Sequence, residues 1–290
     1  MRQKLIYNLG RRGFFSEINN LVIAKIFAED HNWDFEVNSF YWNCKYTKGL
    51  KDYFNTDLPE NNRLCSAQML RKKTLSFDLH SLFYLGIGIL NAAYRALHTN
   101  VVWGSEVYES IRAPFYLNHI NTDRFLNDLR QLLQMNDTLR HTFQNRMAQL
   151  GMQMPFLGVH IRRGDKITTG EMQNIPLLKY VEAIIETGYK HIYIATDDYR
   201  SVEFVHAQLP APDYHIYCNP ELAGAGFSEG RFNHSSKKDR YKETCSLLFD
   251  IFVLFRAAYF IGTYSSNLSR VIPCALGLNN CKSLDVNWFI

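Results

Sequence analysis

The run Phe156-Leu157-Gly158-Val159-His160-Ile161 passes directly into Arg162-Arg163-Gly164-Asp165-Lys166, and this junction constrains the fold more than any other stretch of the chain. An uninterrupted apolar segment, partly β-branched and set just after Pro155, reads as an interior strand of a parallel sheet, buried on both faces. Parallel sheets bind their ligands beyond the carboxyl ends of the strands. The charges therefore stand where a ligand would sit. Guanidinium groups present planar forks of donors that match phosphate, and lysine adds a point charge, so the tip suits a diphosphate. The simpler alternative is a solvated basic turn held by a local Arg–Asp pair, a weak interaction that would not call for so much charge behind a buried strand.

What surrounds this strand repeats its logic. Strands over 156–161, 190–195, 213–218 and 258–262 alternate with helices over 176–187, 200–208, 241–257 and from about 266. Such repeated winding predicts a doubly wound parallel sheet with right-handed crossovers. In the first half, a short strand over 4–8 leads through a loop with Gly10 and Gly13 into a helix marked by Ile18, Leu21, Val22, Ile26 and Phe27. Trp33–Val37 alternates like a strand, and helices are expected at about 78–97 and 122–149. The chain thus divides into a helix-rich α/β domain over 1–152 and a second α/β domain over 153–290. Gly224–Asp239, rich in Gly, Ser, Asn and Lys, reads as a mobile loop facing the cleft.

Composition removes several classes of function. With 32 basic against 28 acidic residues the net charge is +4, far from the strongly basic face that nucleic-acid binding requires. The six cysteines are scattered without metal-ligand spacing, which fits buried thiols in a reducing cytoplasm and predicts neither a disulfide framework nor a metal site. The N-terminus is too polar for a signal peptide, and no run of about eighteen apolar residues spans a membrane. Aromatic residues at 14% suit sugars, whose C–H faces stack on rings.

His160-Ile161-Arg162-Arg163-Gly164-Asp165-Lys166 resembles the first signature of fucosyltransferases of the α-1,6 type, a family that includes nodulation enzymes and has ties to α-1,2 and protein O-fucosyltransferases. Two further segments follow in the family's order: Tyr193-Ile194-Ala195-Thr196-Asp197-Asp198, then Asp250 with Ser266 in Gly262-Thr263-Tyr264-Ser265-Ser266-Asn267. Asn8 to Glu17 is similar to the family's Gly-rich opening. The resemblance implies a GT-B-like fold, with two Rossmann-like domains facing a cleft and the C-terminal one doubly wound. It also implies an inverting, metal-independent transfer of L-fucose from GDP-fucose to an oligosaccharide or glycoconjugate, with no cofactor besides the donor. Transfer of another GDP- or dTDP-linked deoxysugar is one alternative. A non-catalytic nucleotide-sugar or glycan-binding protein on the same scaffold is another.

Roles follow residue by residue. At an extended strand end Arg162 and Arg163 point to opposite faces; Arg163 is the first choice for the β-phosphate, with Lys166 beside it. Arg162 is either a second phosphate contact or a brace pairing with Asp165 or a neighbouring loop. Asp165, between cations, is an orienter and not a base. The family's general base falls nearest Glu171, displaced by about one residue from the family pattern, with Asp165 and Glu17 as fallbacks. One of Asp197 and Asp198 caps the next helix and the other contacts ribose or base. His160 and Asp250 are expected to read guanine. Asp250, inside an apolar helix, demands a partner or a ligand. Ser265 and Ser266, at a helix start, form an anion site supported by Arg270, and Gly10 and Gly13 bring backbone N–H groups near the donor.

Overall fold

The computed structural model describes residues 2–63, 86, 89–90, 93–94, 96–104, 122–164, 174–209, 212–221 and 226–286. The chain forms two compact units that divide between Phe125 and Leu126.

The first unit holds a parallel sheet in the order β3-β2-β1-β4, made of β1 (Lys4–Asn8), β2 (Asp34–Asn38), β3 (Glu60–Asn61) and β4 (Val101–Trp103). Helix α1 (Phe14–Asp30) connects β1 to β2. It buries Ile18, Leu21, Val22 and Ile26 as the periodicity predicts, each such side chain contributing about 1.5–3 kcal/mol. The helix expected at 78–97 falls mostly outside the described residues.

In the second unit the sheet runs β7-β6-β5-β8-β9, again wholly parallel. Its strands are β5 (Leu157–Ile161), β6 (His191–Thr196), β7 (His215–Cys218), β8 (Tyr259–Gly262) and β9 (Cys281–Ser283). Strand order reverses between β5 and β8, the place in such sheets where loops part and leave a crevice. Helices α4 (Leu177–Thr187) and α5 (Tyr199–Gln208) cover one face, packing Val181, Ile184, Val202 and Val205 against Leu157, Val159 and Ile161. On the other face lies α7 (Lys237–Leu254). It sits so close to β5 that a Cβ on Gly158 would fall 2.8 Å from Leu254 Cδ2.

Several expectations need correction. The segment 122–149 is two helices, α2 (Asp123–Leu132) and α3 (Asp137–Gln149). Asn136 breaks it, its side chain capping α3 by accepting from Leu139 N. Phe143 of α3 packs edge-on against Phe249 and Phe252 of α7, which ties α3 into the second unit. The segment 224–239 is not one loop: α6 (Glu229–His234) starts at the cap Ser228, and α7 begins at Lys237 behind the cap Ser236. Ser236 Oγ accepts from Asp239 N and donates to its carboxylate, a serine cap with an acidic partner three residues on. The helix expected from 266 is a 3-10 turn at Ser269–Val271 followed by the short helix α8 (Pro273–Leu276). Cys218, Cys274 and Cys281 are thiols. Among the described residues no helix is long and apolar enough to cross a membrane.

Candidate functional site

Side-chain alternation along β5 places its functional residues on two faces. His160 and Arg162 share the α7 side, and Arg163 turns to the α4 side. Arg163 donates through Nη2 to Ile175 O at 2.7 Å and through Nη1 to Asn174 Oδ1. Its Nε is buried without a hydrogen-bond partner among the described residues. Arg162 pairs with Asp197 Oδ2 at 2.9 Å, and its guanidinium lies 5.2 Å from the centre of the Phe227 ring. One partner that braces Arg162 is thus Asp197, directly after β6.

Asp197 does more than hold one arginine. Its carboxylate accepts from Arg163 N at 2.7 Å, Gly164 N at 2.8 Å and Phe227 N at 3.3 Å. Its own carbonyl accepts from Gly226 N at 2.8 Å. One side chain thus bolts the β5 tip to the 226–227 segment. Glycine is required on both sides of that bolt: a Cβ on Gly164 would lie 2.5 Å from Phe227 O, and Gly226 holds a φ of +87°. The ribose or base contact considered for the Asp197–Asp198 pair finds Asp197 already engaged by the protein. Asp198 is the expected cap of α5, accepting from Arg200 N at 3.1 Å. Hydrogen bonds from the Arg200 side chain hold its carboxyl below the usual range.

At the crossing between β5 and β8, His160 is 5% exposed and its Nδ1 lies 2.8 Å from Ser269 Oγ. Burial, aided by Arg162, drives its pKa down to about 3, so the imidazole is neutral. Ser269 Oγ also accepts from Thr263 N, so the ring is held at the crossing by a hydroxyl that is itself fixed by the backbone.

Asp250 has the partner its setting demanded. Tyr193, opposite Gly158 in the sheet register, donates its hydroxyl to Asp250 Oδ1 at 2.7 Å. Burial raises this carboxyl to about 7 against hydrogen bonds from Tyr193 and Asn219 and the charge of Arg146. A raised carboxyl pKa means the folded chain binds an extra proton between about pH 4 and pH 7, so stability falls as pH rises through that window. Asp250→Asn removes the ionisation cost, on the order of 4 kcal/mol when complete. The melting temperature of the variant relative to the parent is expected to climb from pH 5 to about pH 7 and to level off above it; a pH-independent difference would show that Asp250 titrates normally.

The turn after β8 departs from the expected anion site. Tyr264 N and Ser265 N donate to the two oxygens of Asp285 at 2.7 and 2.9 Å, and Ser266 N donates to Thr263 O. Asp285 also accepts from Ser283 Oγ and Val286 N. Though burial opposes it, this set of donors lowers the Asp285 pKa. The backbone N–H groups expected for phosphate are thus spent within the chain, those of Tyr264 and Ser265 on the Asp285 carboxylate and that of Ser266 on the Thr263 carbonyl. Arg270 donates to Tyr264 O at 2.6 Å and lies over the Tyr264 ring, bracing the turn. Sequence reasoning missed Asp285, Ser269, Tyr193 and Phe227, whose roles depend on pairings across the fold.

Asp165, Lys166 and Glu171 lie outside the described residues. Glu17, a fallback base, is fully buried and folded back on the Gly10–Gly13 loop, where it accepts from Tyr7 Oη and from the N–H groups of Gly10 and Arg12. It shapes that loop and is sealed from an acceptor. Gly13 begins α1 with ordinary dihedrals, and a Cβ there would meet nothing within 4 Å.

A family model for the N- and catalytic domains of α-(1,6)-fucosyltransferases matches residues 125–273, half of the chain, including the ends of β5, β6 and β8. The chain belongs to the α-(1,6)-fucosyltransferase family. A family member from Drosophila melanogaster, an α-(1,6)-fucosyltransferase, is 29% identical over 154 residues, covering 49% of this chain and 23% of that protein. The chain therefore matches under a quarter of that relative's length. Among solved structures, NodZ α-1,6-fucosyltransferase soaked with GDP-fucose superposes with a TM-score of 0.58 at 14% identity, over 95% of this chain and 93% of the other. NodZ from Bradyrhizobium gives 0.60 at 13% identity over 95% and 94%. POFUT1 in complex with GDP gives 0.58 at 10% identity, over 94% of each. At these identities the superpositions show a shared fold for this family member.

Proposed function

We propose that this chain is an inverting, metal-independent glycosyltransferase on a GT-B-like scaffold, with GDP-fucose as donor, a doubly wound donor-binding domain, and a glycan hydroxyl as acceptor. The observation that carries this reading is the pair of arginines at the end of β5, within the family match and beside the crossing of β5 and β8. Arg162 is tied to Asp197, whereas Arg163 keeps a buried Nε with no partner among the described residues.

In this reading the acceptor oxygen attacks the anomeric carbon from the face opposite GDP, the bond from that carbon to the β-phosphate oxygen breaks, and GDP departs with the bonding pair. The acceptor proton passes to a base, for which Glu171 is the candidate. Arg163 and Lys166 stabilise the charge that develops on the β-phosphate. His160, as a neutral imidazole, and Asp250, as an acceptor, address the polar edges of guanine.

The test is GDP release from GDP-fucose in EDTA, with and without a panel of acceptor oligosaccharides, and with UDP and dTDP as competitors. Acceptor-dependent release that UDP and dTDP do not inhibit supports the reading. Release that stops in EDTA overturns metal independence, and inhibition by dTDP alone points to another deoxysugar. Tight GDP binding with no release to any acceptor favours a binding protein.

A further inference from the structure

The sharpest unexplained feature of the second unit is a polar chain buried on the α7 face of its sheet. Tyr193 is fully buried and donates to Asp250 Oδ1. Asn219, at the end of β7 and 4% exposed, donates through Nδ2 to Ser246 O and Oγ at 3.1 and 2.9 Å. Its Oδ1 accepts from Arg146 Nη2 at 3.0 Å and from Glu221 N at 3.1 Å. Arg146 in turn pairs with Glu221 at 3.4 Å and lies 4.2 Å from the centre of the Phe249 ring.

Phenylalanine would fill the Tyr193 position as well as tyrosine does, and an apolar side chain at Asp250 would spare the helix a buried carboxyl. A hydroxyl and a carboxyl kept together in this place need a purpose beyond packing. A carboxylate that reads two adjacent N–H donors must present both oxygens in the plane of the base, as any two-point recognition does. Free rotation about its last torsion would spoil that plane. A hydrogen bond to one oxygen from a rigid, fully buried ring fixes it.

We propose that Tyr193 is a specificity-determining positioning residue, which sets the plane of the Asp250 carboxylate and so its discrimination of guanine from other purines. This rests on the reading of Asp250 as the base-recognising residue. The phenol is suited to the task, because burial and the neighbouring Asp250 hold its pKa well above 10 and it remains a donor throughout the working range. The groups facing Asp250 are Tyr193 of β6, Cys218 and Asn219 at the end of β7, Arg146 of α3, and Glu221. Of these, Tyr193, Asn219 and Arg146 favour the ionised form, and Glu221 opposes it.

The experiment compares binding of GDP, inosine diphosphate and ADP by the full chain and by Tyr193→Phe, Asp250→Asn and the double variant, between pH 6 and pH 8.5. Inosine diphosphate lacks the exocyclic amine and reports one of the two contacts. Tyr193→Phe is expected to weaken GDP binding about tenfold and to shrink the preference for GDP over inosine diphosphate. It is also expected to raise the pH below which GDP binding is lost, since the phenol no longer favours the carboxylate. In the Asp250→Asn background the tyrosine change should do nothing further, a comparison that stands even if the single variant folds poorly, because the double variant carries no buried carboxylate. Wild-type discrimination in Tyr193→Phe, or an added loss in the double variant, overturns the role of Tyr193 alone. An unchanged preference in Asp250→Asn overturns the base reading and this inference with it.

Discussion

Arg163→Ala is expected to lower the rate of GDP release from GDP-fucose by two to three orders of magnitude, roughly the loss seen when one donor is removed from a preorganised anion site, and to leave the far-ultraviolet circular dichroism unchanged. The effect should fall on kcat more than on KM, because the charge that Arg163 answers grows as the bond to the β-phosphate breaks and is smaller in the bound donor. Part of any loss could arise from structure, since the same guanidinium holds Asn174 and Ile175 at the approach to α4. Arg163→Lys separates the two contributions. Lysine retains the charge but has no fork with which to grip Ile175 O and a phosphate oxygen together. It should recover some turnover in proportion to its charge, while Asn174→Ala, which removes only an anchor, should cost less than tenfold. If Arg163→Ala turns over at a near-normal rate, Arg163 is not the residue that meets the leaving group, and Arg162 becomes the candidate.

The strand that carries these arginines was legible because burial on both faces leaves an unbroken apolar run, a signal local to a few residues. The winding of the second unit followed from the same kind of signal, repeated. That one of Asp197 and Asp198 caps the next helix was legible too, since a capping side chain bonds to backbone only two or three residues away. Where local chemistry serves two purposes, the sequence was ambiguous. Ser228 and Ser236 start helices, yet serine among Gly, Asn and Lys has the composition of a loop. Asn136 ends one amphipathic run and starts another without interrupting the apolar periodicity, so two helices read as one.

The residues that shape the site were hidden for a different reason. Asp285 reaches Tyr264 and Ser265 across β8 and β9, and nothing in its immediate neighbours marks it as the acceptor for that turn. The pairing of Arg162 with Asp197 shows the same limit. The two are distant in sequence, but the parallel register sets Thr196 opposite Ile161, and this carries Asp197 to the tip. Pairing across a parallel sheet is set by the crossover between the strands, and its register is not written in either strand alone.

That register gives Asp197 the second large effect. Asp197→Ala deprives Arg163 N, Gly164 N and Phe227 N of their acceptor and removes the Asp197 ion pair from the Arg162 guanidinium, in a place where the two side chains are only 19% and 12% exposed. Breaking such a pair by removing one partner costs about 3–5 kcal/mol. The loss is expected to appear first as local loosening of the tip and the 226–227 segment, because the core beneath rests on Val159, Ile161 and Ile194, which Asp197 does not touch. Hydrogen exchange should therefore quicken in peptides covering 156–164 and 226–234 and remain slow in β6 and α4. Turnover should fall at least a hundredfold, since both arginines lose their fixed positions at once. A residue that only contacted the donor would weaken GDP binding and leave exchange in the nucleotide-free protein unchanged, so slow exchange at the tip of Asp197→Ala would sink the positioning role. Asp197→Asn sharpens the comparison. Its amide keeps one oxygen, which serves either Arg163 N at the Oδ1 position or Gly164 N and Phe227 N at the Oδ2 position, turns a donor toward the rest and carries no charge for Arg162, so it should restore exchange protection in part and turnover hardly at all.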